Sequence, residues 1–229
     1  MRDIRGISFD LDDTLWECEP VIRRAETSLL DWLHARCDHI ADRYDMASFM
    51  AHKQAFMQEN KALWGDVSRM RVALLEDILG GCEAHRDLVQ EAYEHFYQVR
   101  SEVEFYEDAL PALEWMRERF PLAALTNGNA DLERIGIAPL FQRIFYASLE
   151  CPAKPDAHMF VETCKDFGIE AHQLLHVGDN PYTDVEGARR AGAKTVWIKR
   201  AEMIWPDDLA PADVEISDLN ELVAILSEN

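Results

Sequence analysis

Cysteine is scarce and unpatterned in this chain: Cys18, Cys37, Cys82, Cys151 and Cys164 are widely spread, odd in number and free of Cys-x-x-Cys spacing. That argues against a disulfide framework or a thiolate zinc site and fits reduced thiols in a cytoplasm. Long hydrophobic runs are missing too. No stretch approaches the roughly 20 apolar residues that span a bilayer, and the chain enters a strand within its first few residues, so the expectation is a soluble, unexported, cytoplasmic protein.

Basic residues are outnumbered, 23 Lys and Arg against 43 Asp and Glu, for a formal net charge of −20. A nucleic-acid surface would need clustered Lys and Arg, and anionic lipid would repel such a chain, so neither is an expected partner. An anionic substrate would need a local cationic or metal-lined pocket. There is no internal repeat and no low-complexity segment. His34, His39, His52, His85 and His95 fall in no metal motif and read as surface or packing residues.

What the sequence does have is an apolar run that empties abruptly into acid: Ile7-Ser8-Phe9-Asp10-Leu11-Asp12-Asp13-Thr14-Leu15-Trp16. A short apolar run suits a buried parallel strand, and open α/β sheets bind ligands beyond the carboxyl ends of their strands. Asp10 and Asp12 lie two apart, so in extended backbone both side chains point to one side. Two such charges about 4 Å apart repel by roughly 4 kcal/mol at an effective dielectric near 20, which calls for a cation or a proton. Oxygen-only ligands favour Mg²⁺. Taken alone, the stretch also fits an acidic turn that caps a helix.

Between residues 17 and 104 the apolar period is three to four. It predicts one long helix through Ile22, Leu29, Trp32 and Ile40, then three more through Phe49–Met57, Val67–Leu79 and Leu88–Val99. Asp66 is placed to cap the third and Gly80-Gly81 to close it. From about Phe105 the pattern becomes strand and helix in alternation. Leu122–Leu125 ends in Thr126-Asn127-Gly128, and Arg143–Ala147 leads to a loop holding Lys154-Pro155. Gln173–Val177 ends in Gly178-Asp179 with Asp184 beyond, and Lys194–Ile198 and Asp213–Ile216 follow. Short helices are expected at Ala130–Ile135 and Val185–Ala191. The alternation calls for a parallel sheet with right-handed crossovers, and the helical block reads as an insertion after the first strand, expected to form a lid on the sheet's carboxyl edge.

Carboxylates, a hydroxyl and an amine at successive strand exits form a set suited to phosphoryl transfer. The four motifs, Asp10-Leu11-Asp12-Asp13-Thr14-Leu15, Thr126-Asn127-Gly128, Lys154-Pro155 and Gly178-Asp179 with Asp184, in that order, resemble those of the haloacid dehalogenase-like hydrolases. The resemblance covers essentially the whole chain. It implies an α/β fold with a Rossmann-like parallel core at 1–16 and 105–229 and a helical cap of the first type at 17–104. Within the family, Thr126–Ala130, His176–Asp179 and Trp197-Ile198 look most like the bacterial flavin mononucleotide phosphatases.

The resemblance implies a Mg²⁺-dependent phosphatase acting on a small phosphorylated metabolite, as a monomer or homodimer. Asp10 would be the nucleophile that forms an aspartyl-phosphate, and Asp12 the acid and base. Asp10, the backbone carbonyl of Asp12 and Asp179 would hold the metal. Thr126, Asn127 and Lys154 would bind phosphate, and Asp184 would support the metal's waters or Lys154. Trp16, Asn127, Trp64 and Arg69 could reach the leaving group. An acid two residues after the nucleophile favours ester cleavage over halide displacement, because an alkoxide must be protonated. A phosphomutase, a 2-haloacid dehalogenase and a non-catalytic phosphate-binding or phosphoacceptor module stand as alternatives.

Overall fold

Strand β1 (Gly6–Phe9) is buried along its whole length, as an apolar segment flanked by others must be. In the computed structural model, which describes all residues except Arg2, 81–85, Glu202 and Asn229, it lies at the centre of a six-stranded sheet. Gly81, Cys82 and His85 are thus outside the described residues. The other strands are β2 (Leu122–Thr126), β3 (Arg143–Tyr146), β4 (Leu174–Gly178), β5 (Lys194–Ile198) and β6 (Val214–Ile216), in the order β3-β2-β1-β4-β5-β6. Every pairing is parallel. Strands β2 and β4 are buried throughout, whereas β3 is only partly covered.

The chain proceeds from β1 outward through β2 and β3, then returns to the other side of β1 with β4. Neighbouring loops therefore diverge at the carboxyl ends of β1 and β4 and open a crevice there. Phe9 is level with Ala124 on one side and Val177 on the other, so Asp10 follows the last paired residue of the central strand. Its N–H still bonds the Val177 carbonyl (2.9 Å). Around the sheet, Met159 and Phe160 of the helix His158–Phe167 are fully buried with Ala123, Leu125 and Leu174. Gly168 closes that helix at φ +64°, a conformation that costs glycine nothing.

The sheet belongs to a compact unit of residues 1–17, 104–128 and 136–229; a second unit comprises 18–103 and 129–135. In the second unit the helices Cys18–His34, Asp38–Arg43, Met46–Glu59, Val67–Leu79 and Arg86–Arg100 bury one apolar cluster, including Leu29, Leu33, Ile40, Phe49, Leu75 and Phe96. The segment 129–135 groups with these helices through its own hydrogen bonds: Asn129 donates to the Ser68 hydroxyl (3.2 Å), and the Asp131 N–H to that of Ser101 (3.0 Å).

The single long helix expected through Ile40 is broken. Cys37 adopts extended backbone (φ −146°, ψ 94°), and the chain restarts as Asp38–Arg43. The redirection lets Leu33 and Ile40 both be fully buried in the same cluster. Asp66 caps its helix as expected, accepting from the Arg69 N–H (2.9 Å). Asp45 makes a reciprocal capping box with Ser48. The histidines His34, His52 and His95 bond to Tyr44, Asp77 and Ser28 respectively, in line with packing roles. The stretch expected as a helix at Ala130–Ile135 is helical only over Leu132–Ile135, and Val185–Ala191 is replaced by a π-helical turn, Pro181–Glu186, running into Gly187–Arg190.

Candidate active site

Three of the four carboxyl-edge motifs contribute side chains to one buried group. Lys154, only 3% exposed, directs its Nζ between two carboxylates, 2.6 Å from Asp10 Oδ1 and 2.6 Å from Asp184 Oδ1. One carboxylate oxygen from each of Asp10, Asp179 and Asp184 lies within 4.8 Å of the others. Three carboxylates against one ammonium leave a formal charge of −2 in a largely buried place. Burial pushes the Asp179 carboxyl up to about 8, reinforced by Asp10, Asp184 and Asp13. Burial likewise pushes Asp10 up to about 7, against the pull of Lys154. Asp184 is held below the usual carboxylate range: burial opposes this, but Lys154 and the His176 hydrogen bond outweigh it. Lys154 is correspondingly held above its ordinary value by the two acids despite its burial.

The turn geometry explains these placements. Asn180 caps the π-helical turn, accepting from the N–H groups of Tyr182 (3.0 Å) and Thr183 (3.1 Å). Asp184 is 1% exposed and accepts from Lys154 and, on its other oxygen, from the Asn180 N–H (2.9 Å). The inward position requires glycine at 178, where a Cβ would meet Asp184 Cγ at 2.4 Å. The Asp179 carbonyl accepts from the Trp197 indole (2.6 Å), which anchors the β4 exit to β5.

Asn127 uses both ends of its amide on the Lys154 main chain, accepting from its N–H (2.8 Å) and donating to its carbonyl (2.9 Å). Thr126 is buried at the end of β2, one residue past the level of Asp10, and its hydroxyl accepts from the Gly128 N–H (2.9 Å). Asp12 is half-buried and accepts from the Trp16 indole (2.9 Å). Trp16 itself is fully buried, so it reaches nothing outside except through that carboxylate. In the helical unit, Trp64 is 52% exposed and borders an apolar groove of about 540 Å³ with Met50, Lys53 and Met57. Arg69 is more than half exposed and pairs with Asp66 at 3.6 Å.

Sequence reasoning passed over Ser8 and His176. They face each other across β1 and β4 in register, with Ser8 Oγ 2.9 Å from His176 Nδ1 and His176 Nε2 3.4 Å from Asp184. Burial lowers the imidazole's pKa, so the ring is neutral. A visible signal existed: each is a polar residue inside an otherwise apolar buried strand, where an unpartnered polar group is costly. Arg200 was also missed. Its guanidinium donates to the Thr14 carbonyl from Nε (3.1 Å) and Nη2 (3.0 Å) and to Asp108 (2.9 Å).

The chain is similar to known proteins over most of its length. The model of the haloacid dehalogenase-like hydrolases matches residues 4–192. The 5-amino-6-(5-phospho-D-ribitylamino)uracil phosphatase YigB of Escherichia coli is 29% identical, the alignment covering 97% of this chain and 96% of that one. A phosphoserine phosphatase of Thermus thermophilus is 35% identical over 72% of this chain and 67% of its own length. A crystal structure of a 2-haloacid dehalogenase from Pseudomonas syringae superposes with a TM-score of 0.87 at 31% identity, covering 98% of this chain and 99% of that one. Sheet order, strand-exit acids and these matches together establish that the chain belongs to the haloacid dehalogenase-like hydrolases.

Proposed function

We propose that the protein is a Mg²⁺-dependent phosphatase of small phosphomonoesters that works through an aspartyl-phosphate on Asp10. The observation that carries this reading is the buried Asp10–Lys154–Asp184 group with Asp179 beside it, since a net −2 site of oxygen donors matches a hard divalent cation. Burial raises the pKa values of Asp10 and Asp179, with the neighbouring acids adding to it, and a bound cation would offset both causes. Asp10, the Asp12 carbonyl and Asp179 would hold the ion, which when bound neutralises phosphoryl charge as a Lewis acid.

The chain's own groups divide the work. An Asp10 carboxylate oxygen attacks phosphorus as the ester oxygen departs, and Asp12 gives that oxygen a proton; such a proton transfer contributes about 10²- to 10⁴-fold. Asp12 then takes a proton from the water that attacks the acyl phosphate, which frees inorganic phosphate and restores Asp10. Lys154 holds Asp10 in its attacking place and offsets phosphoryl charge, while Asp184 keeps Lys154 there. Thr126 and Asn127 bound the phosphate side, Asn127 by fixing the Lys154 loop. The helical unit is assigned as the cap that selects the leaving group, over residues 17–104.

For the substrate, the ribityl phosphate named for the E. coli relative and flavin mononucleotide share a primary phosphate on a ribityl chain, and we take that ester class as the first choice. The test is phosphate release from 5-amino-6-(5-phospho-D-ribitylamino)uracil, flavin mononucleotide, phosphoserine and p-nitrophenyl phosphate, with and without Mg²⁺, beside Asp10→Asn. Mg²⁺-dependent release that disappears in Asp10→Asn supports the reading. Halide release from 2-chloropropionate without phosphate release would replace it by the dehalogenase reading, which the P. syringae structure favours.

A further inference from the structure

The turn after the nucleophile is held more firmly than its sequence requires. Asp13 takes φ +59°, a left-handed conformation uncommon outside glycine, and its N–H bonds the Trp16 carbonyl (2.8 Å). From one side the Tyr106 N–H bonds the Leu15 carbonyl (3.0 Å), and Trp16 bridges to Phe105. From another, the Arg200 fork takes the Thr14 carbonyl while its Cζ lies 4.2 Å from the Tyr106 ring centre. Asp108 locks the guanidinium in turn.

Within this clamp the indole of Trp16 is fully buried, packed edge-on against Phe105 (5.6 Å between ring centres), and its Nε1–H points at Asp12 Oδ1 at 2.9 Å. An indole N–H can only donate, and this one has no freedom to swing away, so it selects one orientation of the Asp12 carboxyl plane. We infer that Trp16 is a positioning residue for Asp12, setting the direction in which that carboxyl group exchanges a proton with the leaving oxygen. The inference rests on the phosphatase reading above and deepens it.

Leaving-group chemistry separates positioning from packing. p-Nitrophenolate departs without needing a proton, whereas an alkoxide does not. Trp16→Phe keeps an aromatic ring against Phe105 and deletes the N–H. We expect kcat/KM, which reports the step that expels the leaving group and not the later attack of water, to fall about tenfold on an alkyl phosphate such as glycerol phosphate, the equivalent of one hydrogen bond to a charged group. On p-nitrophenyl phosphate kcat/KM should fall by less than about twofold. In an Asp12→Asn background the same substitution should have no further effect on the alkyl ester.

Equal losses on both esters, no loss on either, or an undiminished loss in Asp12→Asn would overturn the assignment. Should Trp16→Phe fail to fold, the ¹⁵N-tryptophan spectrum decides: the Trp16 indole N–H, assigned through its contacts with Phe105, must shift in Asp12→Ala, and an unmoved resonance overturns the proposal. A wild-type protein that hydrolyses neither ester removes the phosphatase reading and this inference with it, an outcome visible before any Trp16 variant is made.

Discussion

Asn127 and Lys154 are joined as if they were paired residues of a sheet, with the Asn127 side-chain amide accepting from the Lys154 N–H (2.8 Å) and donating to its carbonyl (2.9 Å). One side chain thereby fixes the backbone from which the buried ammonium reaches Asp10. Asn127→Ala should loosen Lys154 without touching its charge. The expected result is a fall of about tenfold in kcat/KM on p-nitrophenyl phosphate, with weaker inhibition by inorganic phosphate. Asn127→Asp, which cannot donate to the carbonyl, should fall between. Steady-state kinetics and phosphate inhibition constants check both, and unaltered constants in Asn127→Ala would mean that the loop holds itself.

Gly178 and Asp184 form a steric pair, since a Cβ at 178 would meet the Asp184 carboxyl carbon at 2.4 Å and its Cβ at 2.5 Å. Gly178→Ala should therefore displace Asp184 from Lys154. We expect a loss of stability of about 1–3 kcal/mol from overpacking, and a kcat loss at least as large as that of Asp184→Asn. Chemical denaturation and kinetics on the two variants test this. Gly178→Ala at wild-type activity would show that Asp184 can move without consequence.

The acid cluster gives the metal-free protein a distinctive pH response. Asp179 at about 8 and Asp10 at about 7 both lie above the ordinary carboxylate value, so these two groups bind more protons in the folded state than in the unfolded chain between pH 4 and 8. Their effect on stability is thus most favourable below pH 4 and is lost as pH rises through 7 and 8. Mg²⁺ should displace those protons. Thermal melts from pH 5 to 9 should show stabilisation by Mg²⁺ growing with pH, and calorimetry in buffers of different ionisation enthalpy should detect proton release on binding. Binding without proton release at pH 6.5 would contradict the raised values.

The helical unit contains its own buried charge. Glu26, 2% exposed, accepts from both Arg71 nitrogens and from Lys53, and the Arg71 guanidinium lies 3.9 Å from the Phe96 ring centre. Burial works against the Glu26 carboxylate, but Arg71 and then Lys53 hold its pKa below the ordinary value. Glu26→Leu should cost about 3–5 kcal/mol by leaving Arg71 buried without its anion, whereas Glu26→Leu with Arg71→Met should recover much of the loss. Urea denaturation of the single and double variants measures the difference, and equal instability of the two would rule out the unpaired charge as its cause.

Much of the architecture was legible in the order of residues. Parallel strands buried on both faces must be short apolar runs, and Ile7–Phe9, Leu122–Leu125 and Leu174–Val177 have that form with polar residues at their exits. Amphipathic helices must repeat every three or four residues, which located the helical block and Asp66 as a cap. The break at Cys37 was not visible, because whether Ile40 continues one helix or starts another depends on the pocket that receives it.

For the site, the sequence by itself determined which chemical groups leave the sheet edge, since Asp10, Thr126, Lys154 and Asp179 each follow a strand or loop signal readable within a few residues. Only the tertiary structure decided who holds whom. Lys154 meets Asp10 across 144 residues of chain, Arg200 reaches Thr14 across 186, and Ser8 meets His176 across 168. Contacts of that span carry no local periodicity; they arise because the strand order brings β1 and β4 together and because buried polar groups must find partners wherever the packing places them. Trp16 shows the division most clearly: its place after the acidic turn is written in the chain, but its burial and the aim of its N–H at Asp12 exist only once Phe105 and Arg200 have closed around the turn.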